Sequence, residues 1–314
     1  MIEKDSKILD LPPLYREIAA KNLNESDETR SQALQQLRKW ISADSTVKNV
    51  RIDASFLLKF LRVKKFNVNS SYLLFKEYLT AFHDYPKWFS KLSVDEELIL
   101  ELIRDGVLIP LPNRDTNGCQ TVIYNLRNLN PAKFNQHDFF RLHALMFHVL
   151  FEDEETQIAG FSVIFNFSGM DLRRYAMFSI VDFNNFCKTV RFAIPVRVFK
   201  VYVINMPKIV QPLYEIATRF LTPKLKKRLK VLKNQEELKK VVDLKDFPKE
   251  FGGESEMKEI LEEFVAKMKG RKEEISKLND MKIETLKSEK GTKWSLQEKI
   301  GNEIFGSFRK LTVD

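Results

Sequence analysis

The chain has 314 residues, of which 44% are hydrophobic and 25 are phenylalanine, enough to bury one large apolar core or two modest ones. Its formal net charge of +9 implies anionic partners, and nucleic acid and anionic membranes both qualify. No stretch approaches the roughly 20 apolar residues that span a bilayer, the first residues lack the apolar segment of a secretory signal, and two cysteines are too few for a disulfide framework. We therefore expect a cytoplasmic protein with reduced thiols.

Residues 1–92 are predicted to form a helical lobe. Apolar residues from Leu34 to Ile41 recur at helical spacing, and Asp53 is a good N-cap for the following segment ASFLLKFLRVKKF. A further helix is predicted from Asn67 to Phe82. Because these helices are too short to be stable alone, we expect them to pack on one another.

Residues 93–253 are predicted to form an α/β domain. The segments GVLIPLP, TVIYNL, GFSVIFNFSG and PVRVFKVYVIN have the pattern of strands, and helices are predicted over FNQHDFFRLHALMFHVLF and over residues 172–190. This alternation indicates a parallel or mixed sheet with crossover helices. One amphipathic helix, KIVQPLYEIATRFLTPKLKKRLKVL, is predicted next, and residues 254–314 are predicted to form a helical tail.

Catalytic and metal-binding motifs are missing from the sequence. It contains no nucleotide-binding glycine loop, no metalloprotease motif and no serine-hydrolase motif. His143 and His148 are five residues apart, which directs them to different sides of a helix, so we expect no zinc site. The acidic run from Glu152 to Glu155 is predicted to be a solvated surface. The sequence therefore predicts a protein that is not an enzyme and has no cofactor or metal.

Basic residues are concentrated between Lys224 and Lys233, a stretch that holds six of them and no acidic residue. No aromatic residue lies among them for base stacking, and no nucleic-acid-binding signature accompanies them. A basic amphipathic helix fits a membrane surface at least as well. We therefore predict an anionic membrane, and no nucleic acid, as the partner.

Four short segments occur in an informative order. They are FLLKFLRVKKF at residues 56–66, EETQIAGF at residues 154–161, Asn205-Met206-Pro207 and Phe251-Gly252-Gly253. Together they resemble the CRAL-TRIO lipid-binding family, especially the branch with the cellular retinaldehyde-binding protein and the α-tocopherol transfer protein. A looser match, GSFRKL at residues 306–311, is similar to a tail ending of some invertebrate members. The resemblance implies an α/β fold in which a helical lobe precedes a lipid-binding lobe. In that lobe a mainly parallel sheet forms the pocket floor and a gate helix covers the mouth.

The resemblance also implies which residues line the pocket. The predicted lining residues are Tyr124, Phe140, His143, Phe147, Ile164, Phe165, Phe186, Val190, Ile194, Val196, Val198 and Val201. Strand parity could turn Ile164 and Val201 away from the cavity. The predicted gate residues are Ile209, Leu213, Ile216, Phe220 and Leu221, although a plain core helix carries the same apolar pattern.

The polar anchors of the family's known ligands are replaced in this sequence. Serines of the tocopherol branch align with His143 and Phe147, whereas a tyrosine and a glutamate of the retinaldehyde branch align with His143 and Phe165. The resemblance therefore does not assign the ligand of either branch to this chain. His143 is either the one polar group of an apolar pocket or a hydrogen-bonded core histidine.

A basic cleft beside the gate is the third feature that the resemblance implies. Arg197, Lys224 and Arg228 stand where the tocopherol branch has basic residues that bind phosphoinositide headgroups, while Phe199 occupies a fourth basic position. We define the basic cluster as the predicted membrane-binding residues Arg197, Lys200, Lys224, Lys227 and Arg228.

Two functions remain open from these observations. The first is a monomeric transfer protein that encloses one hydrophobic lipid, such as a retinoid or a tocopherol-like isoprenoid, and docks on phosphoinositide-containing membranes. The alternative is a peripheral-membrane adaptor that senses phosphoinositide and binds a protein partner through residues 254–314.

Overall fold

A computed structural model describes residues 10–284, so the GSFRKL segment lies outside the described residues. The elements that precede the main sheet are α1 Pro13–Ile18, α2 Asp27–Ala43, β1 Val47–Lys48, α3 Ala54–Val63, α4 Val68–Asp84, α5 Pro86–Phe89 and α6 Glu97–Arg104. These bounds confirm the predicted helices.

Side-chain caps begin the main helices of this lobe. The Asp53 carboxylate accepts from the Phe56 amide at 3.0 Å, and the Asn67 side chain accepts from the Ser70 amide at 2.8 Å. Each cap satisfies an amide that has no partner within the helix. The apolar face of α3 is fully buried: Phe56 and Phe60 pack edge-to-face at 5.4 Å between ring centroids.

The main sheet has five strands in the order β2-β3-β4-β5-β6. The strands are β2 Leu108–Arg114, β3 Gln120–Asn125, β4 Phe161–Asn166, β5 Val198–Ile204 and β6 Leu229–Leu232. β2 and β3 are antiparallel, and every other pair is parallel. The predicted α/β class with a mainly parallel sheet is therefore confirmed.

Helices connect the strands of this sheet. They are α7 Gln136–Leu150, α8 Glu154–Ala159, α9 Leu172–Ala176, α10 Ile180–Phe192, α11 Gln211–Arg219 and α12 Pro223–Lys226, and α13 Gln235–Lys239 follows β6. The stretch predicted as one helix over residues 172–190 is thus two helices. The second begins where the Ser179 hydroxyl accepts from the Asp182 amide at 3.4 Å.

The prediction of one amphipathic helix through residue 233 is wrong. α11 ends at Arg219, the Thr222 side chain caps the short α12, and Leu229–Leu232 form β6. Pro223 explains the break, because proline lacks an amide hydrogen and its ring clashes with the preceding turn of a helix. The basic residues therefore lie on the short α12, on the turn after it and on the edge strand β6 rather than along one helical face.

The prediction that the acidic run is a solvated surface is also wrong. Glu152 is 7% exposed, and its carboxylate lies 3.1 Å from Lys59 Nζ and 2.9 Å from Arg51 Nη1. Glu154 Oε2 lies 2.6 Å from Nη2 of the fully buried Arg62. The cations come from α3 and the loop before it, about a hundred residues away, so no local pattern could have paired them.

Residues that follow Gly253 continue the packed structure. α14 Met257–Gly270 packs on β2 and α6, α15 Lys272–Leu278 packs on α7, and β7 Lys282–Ile283 pairs antiparallel with β1. The two predicted lobes and residues 254–283 belong to one compact unit. The domain boundary at residue 253 stays a prediction. The helices after it pack on the elements before it.

Within residues 10–284, no helix is both long enough and apolar enough to cross a bilayer.

Candidate functional site

Aromatic side chains from α7, α10 and the sheet meet at one place. We define the aromatic cluster as Tyr124, Phe140, His143, Phe147, Phe165 and Phe186. Tyr124 stacks on Phe165 at 4.7 Å between ring centroids, and Phe140 stacks on Phe186 at 4.3 Å. The His143 ring lies 4.3 Å from that of Phe147 and 4.8 Å from that of Phe186. The structure thus brings together six of the residues predicted to line the pocket.

The strand register decides which sheet residues share this face. Phe165 pairs with Tyr124 on one side and with Val203 on the other, and Val163 pairs with Val201. Since side chains alternate along a strand, Val201 shares the face of Phe165 and Ile164 points to the opposite face. The sheet therefore separates Ile164 from the aromatic cluster.

An irregularity in β5 explains why Val198 and Val201 share a face although they are three residues apart. Val198 pairs with Phe161, but the next pair is Ser162 with Lys200, so Phe199 is an extra residue in the ladder. A bulge of this kind shifts the alternation by one residue. The parity argument alone could not have placed Val201.

Apolar side chains near the cluster remain partly exposed. Phe165 lies in the middle strand of the sheet and is nevertheless only partly buried. The same holds for four further predicted lining residues, Val190, Ile194, Val196 and Val198. Side chains of this kind at the centre of a filled core are normally fully buried. Apolar side-chain surface therefore stays accessible between α10, the start of β5 and the end of β4.

Tyr124 and His143 form the polar pair of the cluster. The Tyr124 hydroxyl lies 2.5 Å from His143 Nδ1, and the other ring nitrogen, Nε2, is buried with no hydrogen-bond partner among the described residues. Burial lowers the pKa of the His143 imidazole to about 3 and raises the pKa of Tyr124 well above its ordinary value. Both side chains are therefore neutral near pH 7.

The predicted gate residues lie on a short 3₁₀ turn, on α11 and just after it. Leu213 and Ile216 are buried on α11, whereas Ile209, Phe220 and Leu221 are partly buried. α11 packs on α10, and the Phe220 ring lies 6.5 Å from that of Phe192. The predicted residues thus do not form one uniformly buried helix face.

Phe199 lies at the centre of the basic cluster. The Arg228 guanidinium carbon is 4.5 Å from the centroid of the Phe199 ring, and Lys200 Nζ is 5.4 Å from the same centroid. Cations within about 6 Å of a ring face are attracted by its quadrupole. The aromatic residue at the fourth basic position therefore orders two of the cations around it.

The cations of the basic cluster differ in exposure. Lys224 and Lys227 are exposed, whereas Arg197 and Arg228 are partly buried. Arg197 Nε is buried without a hydrogen-bond partner among the described residues, and burial lowers the pKa of this guanidinium. A partly buried cation with an unsatisfied donor is well suited to meet an anionic group.

A separate cleft of about 540 Å³ opens to solvent between the loop before α3 and the end of α15. Arg51, Asp53, Lys277 and Asp280 contribute to its walls, and none of the predicted pocket residues does. Arg51 is already paired with Asp53 at 2.9 Å. Its charged lining does not suit an apolar ligand.

Trp88 and Phe161 are among the residues that contact the aromatic cluster but were not predicted from the sequence. Trp88, on α5, lies 5.2 Å from Phe140 and 6.0 Å from Phe186 between ring centroids. Phe161, at the start of β4, lies 5.0 Å from Phe147. Phe161 could have been found, because it shares the strand parity of Phe165. For Trp88 no local pattern exists, since its partners are far away in sequence.

Comparison with known proteins gives consistent matches. The CRAL/TRIO domain family matches residues 104–253. Clavesin-1 of Xenopus laevis is 29% identical over 232 residues, which cover 74% of this chain and 70% of that protein. The alpha-tocopherol transfer protein-like protein of Homo sapiens is 26% identical over 210 residues, which cover 67% of this chain and 61% of that protein. The crystal structure of Sfh5 aligns with a TM-score of 0.49 and 16% identity, over 74% of this chain and 89% of that one.

Proposed function

We propose that this chain, whose residues 104–253 match the CRAL/TRIO domain family, binds and transfers one hydrophobic lipid. The proposed binding site is the aromatic cluster together with the partly exposed apolar residues beside it. In this proposal the protein has no catalytic role, and release of the lipid requires α11 to move.

The observation that carries the proposal is the partial exposure of Phe165 in the middle strand of the sheet. Val190 on α10, Ile194 in the loop that follows and Val198 at the start of β5 are also partly exposed. Apolar surface that remains accessible inside a fold favours an apolar ligand. At about 25 cal/mol per Å², burying several hundred Å² of lipid contributes on the order of 10 kcal/mol before the costs of association.

Docking on an anionic membrane is the second part of the proposal. Lys224, Lys227 and Arg228 of the basic cluster follow α11, whereas Arg197 and Lys200 lie at the start of β5. Lys224 and Lys227 are exposed, and Arg197 has a buried nitrogen without a partner among the described residues. Each cation near an anionic leaflet contributes about 1 kcal/mol, so the cluster supplies several. Phosphoinositide is the proposed headgroup, because its multiple phosphates match clustered guanidinium groups. Docking beside α11 would couple membrane contact to lipid release.

Native mass spectrometry of the purified protein, followed by organic extraction, tests the first part. We expect a one-to-one complex with an apolar molecule that is released on denaturation. A protein that carries no lipid, and that takes up none from vesicles, would contradict the transfer function.

The adaptor function remains a second candidate because the basic cluster has its own ordered geometry around Phe199. In this case vesicle binding would persist without any bound apolar molecule. Removing residues 285–314 would then abolish partner binding while vesicle binding is retained. The transfer function predicts instead that activity depends on lipid binding by the aromatic cluster and does not require residues 285–314.

A further inference from the structure

The hydrogen bonds of Tyr124 and His143 leave one polar atom unmatched. Tyr124 OH contacts His143 Nδ1 at 2.5 Å, and no other hydrogen-bond partner of either side chain is found among the described residues. A neutral imidazole has one nitrogen that donates and one that accepts. The nitrogen of His143 that carries the hydrogen is therefore determined by whether the Tyr124 hydroxyl donates to Nδ1 or accepts from it.

Two arrangements are possible for the neutral pair. If Nδ1 donated to the tyrosine oxygen, the tyrosine hydrogen would have no acceptor and Nε2 would have no donor, leaving two buried groups unsatisfied. If the tyrosine hydroxyl donates to Nδ1, only the Nε2 hydrogen is unsatisfied. Because each unsatisfied buried group is unfavourable, the second arrangement is the stable one.

Charge does not change this conclusion. Protonation would place a hydrogen on both ring nitrogens, but burial lowers the pKa of His143 to about 3, so the cation is not populated at neutral pH. No charged side chain contributes to this shift, which has burial as its only cause. The hydrogen of the aromatic cluster that is left without a partner is therefore a neutral N–H of His143.

We infer that Nε2 of His143 donates a hydrogen bond to a neutral acceptor oxygen on the bound lipid, with Tyr124 fixing the tautomer that makes this possible. The inference rests on the proposed lipid-binding function and names its ligand class: hydrophobic molecules with a neutral acceptor oxygen, as in a ketone, aldehyde, ester or alcohol. A carboxylate would have to be desolvated without a cation beside it, and a hydrocarbon would leave the donor unsatisfied. A primary amine offers mainly donors and would also be disfavoured.

The tautomer can be measured without any ligand. Long-range proton–nitrogen correlation spectra of the histidine rings distinguish Nε2-protonated from Nδ1-protonated imidazole, and the His143→Phe variant identifies the His143 signals. We expect the Nε2-protonated form in the wild type, and a mixture of tautomers in Tyr124→Phe. An Nδ1-protonated His143 in the wild type would overturn the inference.

Ligand preference is measured by competition between two lipids of one skeleton. Delipidated protein is mixed with equal amounts of heptadecan-2-one, a ketone, and heptadecane, the hydrocarbon with the same carbon chain, and the bound fraction of each is counted by native mass spectrometry. We expect the ketone to be favoured roughly tenfold, the ratio that one net hydrogen bond to an otherwise unpaired donor gives. In His143→Phe and Tyr124→Phe the ratio should fall toward one, while heptadecane still binds.

Tyr78→Phe is the matched control. Tyr78 OH lies 3.5 Å from His148 Nδ1 in a second buried tyrosine–histidine pair, which joins α4 of the helical lobe to the end of α7. This variant loses the same hydroxyl and should keep the tenfold preference. Equal uptake of ketone and hydrocarbon by the wild type would overturn the inference and leave lipid binding intact. Binding of neither lipid, and of neither methyl palmitate nor hexadecane, would overturn the proposed function and the inference with it.

Discussion

Lys59 Nζ lies 3.1 Å from Glu152 Oε1, and both side chains are almost fully buried, at 2% and 3% exposure. Arg51 completes the arrangement with two bonds to the same carboxylate, at 2.9 and 3.0 Å. The cations belong to the helical lobe and the carboxylate to the junction of α7 and α8. A buried pair of this kind is weak evidence for added stability, but breaking it leaves a charge without its partner.

Replacing the carboxylate should therefore be strongly destabilising. Glu152→Gln keeps the size of the side chain but leaves Lys59 buried without a counterion. We expect the free energy of unfolding at neutral pH to fall by about 3 kcal/mol, as measured by urea denaturation. Glu263→Gln, on the exposed side of α14, is the control and should change stability by less than about 0.5 kcal/mol.

The same carboxylate predicts an acid-dependent loss of stability. Burial alone would raise the pKa of Glu152, but Lys59 and Arg51 outweigh burial and lower it from 4.5 to about 2. Because the folded-state pKa is depressed, this contribution is complete above pH 4.5 and is lost as the pH falls toward about 2. The stabilities of wild type and Glu152→Gln should therefore converge over that range. A difference that stays constant with pH would contradict the assignment.

The basic cluster predicts salt-sensitive membrane binding. Substituting Arg197, Lys224 and Arg228 by Ala should weaken binding to vesicles that contain phosphatidylinositol bisphosphate by at least tenfold, because about 1 kcal/mol is lost per cation. Vesicle sedimentation in about 0.1 M salt measures the effect, and added salt should weaken the wild type similarly.

A control with the same loss of charge separates local from global electrostatics. Lys39, Lys87 and Lys269 are exposed and lie on α2, α5 and α14. Their triple Ala variant should bind vesicles nearly as well as the wild type. If both triple variants lose affinity equally, net charge rather than the basic cluster determines docking.

Truncation after Gly253 should behave differently from truncation after Glu284. The first removes Ile260, Leu261 and Phe264, each less than 5% exposed, together with all of α15. Losing these contacts exposes the faces of β2 and α6 on which α14 packs, so we expect an unfolded or aggregated chain. The chain ending at Glu284 should melt like the full-length protein and bind lipid, which circular dichroism and native mass spectrometry would show.

Local patterns were sufficient for most secondary structure. Helix caps such as Asp53 and the alternation of strands and helices are short-range signals, so the elements and the α/β class could be predicted. The break at Pro223 could also have been read from the sequence, because proline interrupts a helix. The prediction of one long basic helix is wrong because apolar residues continue at helical spacing beyond Pro223, although the helix does not.

Long-range pairing could not be predicted. The acidic run at Glu152 has the composition of a surface loop, and only the folded chain shows Lys59 and Arg51 beside it. The sequence does not determine the role of His143 for the same reason. Its spacing fits a pocket or a core equally well, and the bond to Tyr124 joins a helix to a strand.

Val198→Trp is the sharpest test of the proposed pocket. Val198 is partly buried and shares the face of Phe165, whereas Ile164 is 1% exposed on the opposite face. A large side chain placed in accessible apolar space should be accommodated, but one forced into a filled core should destabilise it by about 1–3 kcal/mol.

We therefore expect Val198→Trp to melt close to the wild type and to lose lipid uptake, because the indole fills the volume that the lipid would occupy. Ile164→Trp is the matched control on the same sheet, and although it adds less volume, it should lower the free energy of unfolding and leave the ligand preference of the remaining folded protein unchanged. Thermal melts and native mass spectrometry of both variants distinguish the outcomes. If Val198→Trp is badly destabilised, or stable and fully competent to bind lipid, the side chain of Val198 does not face the pocket.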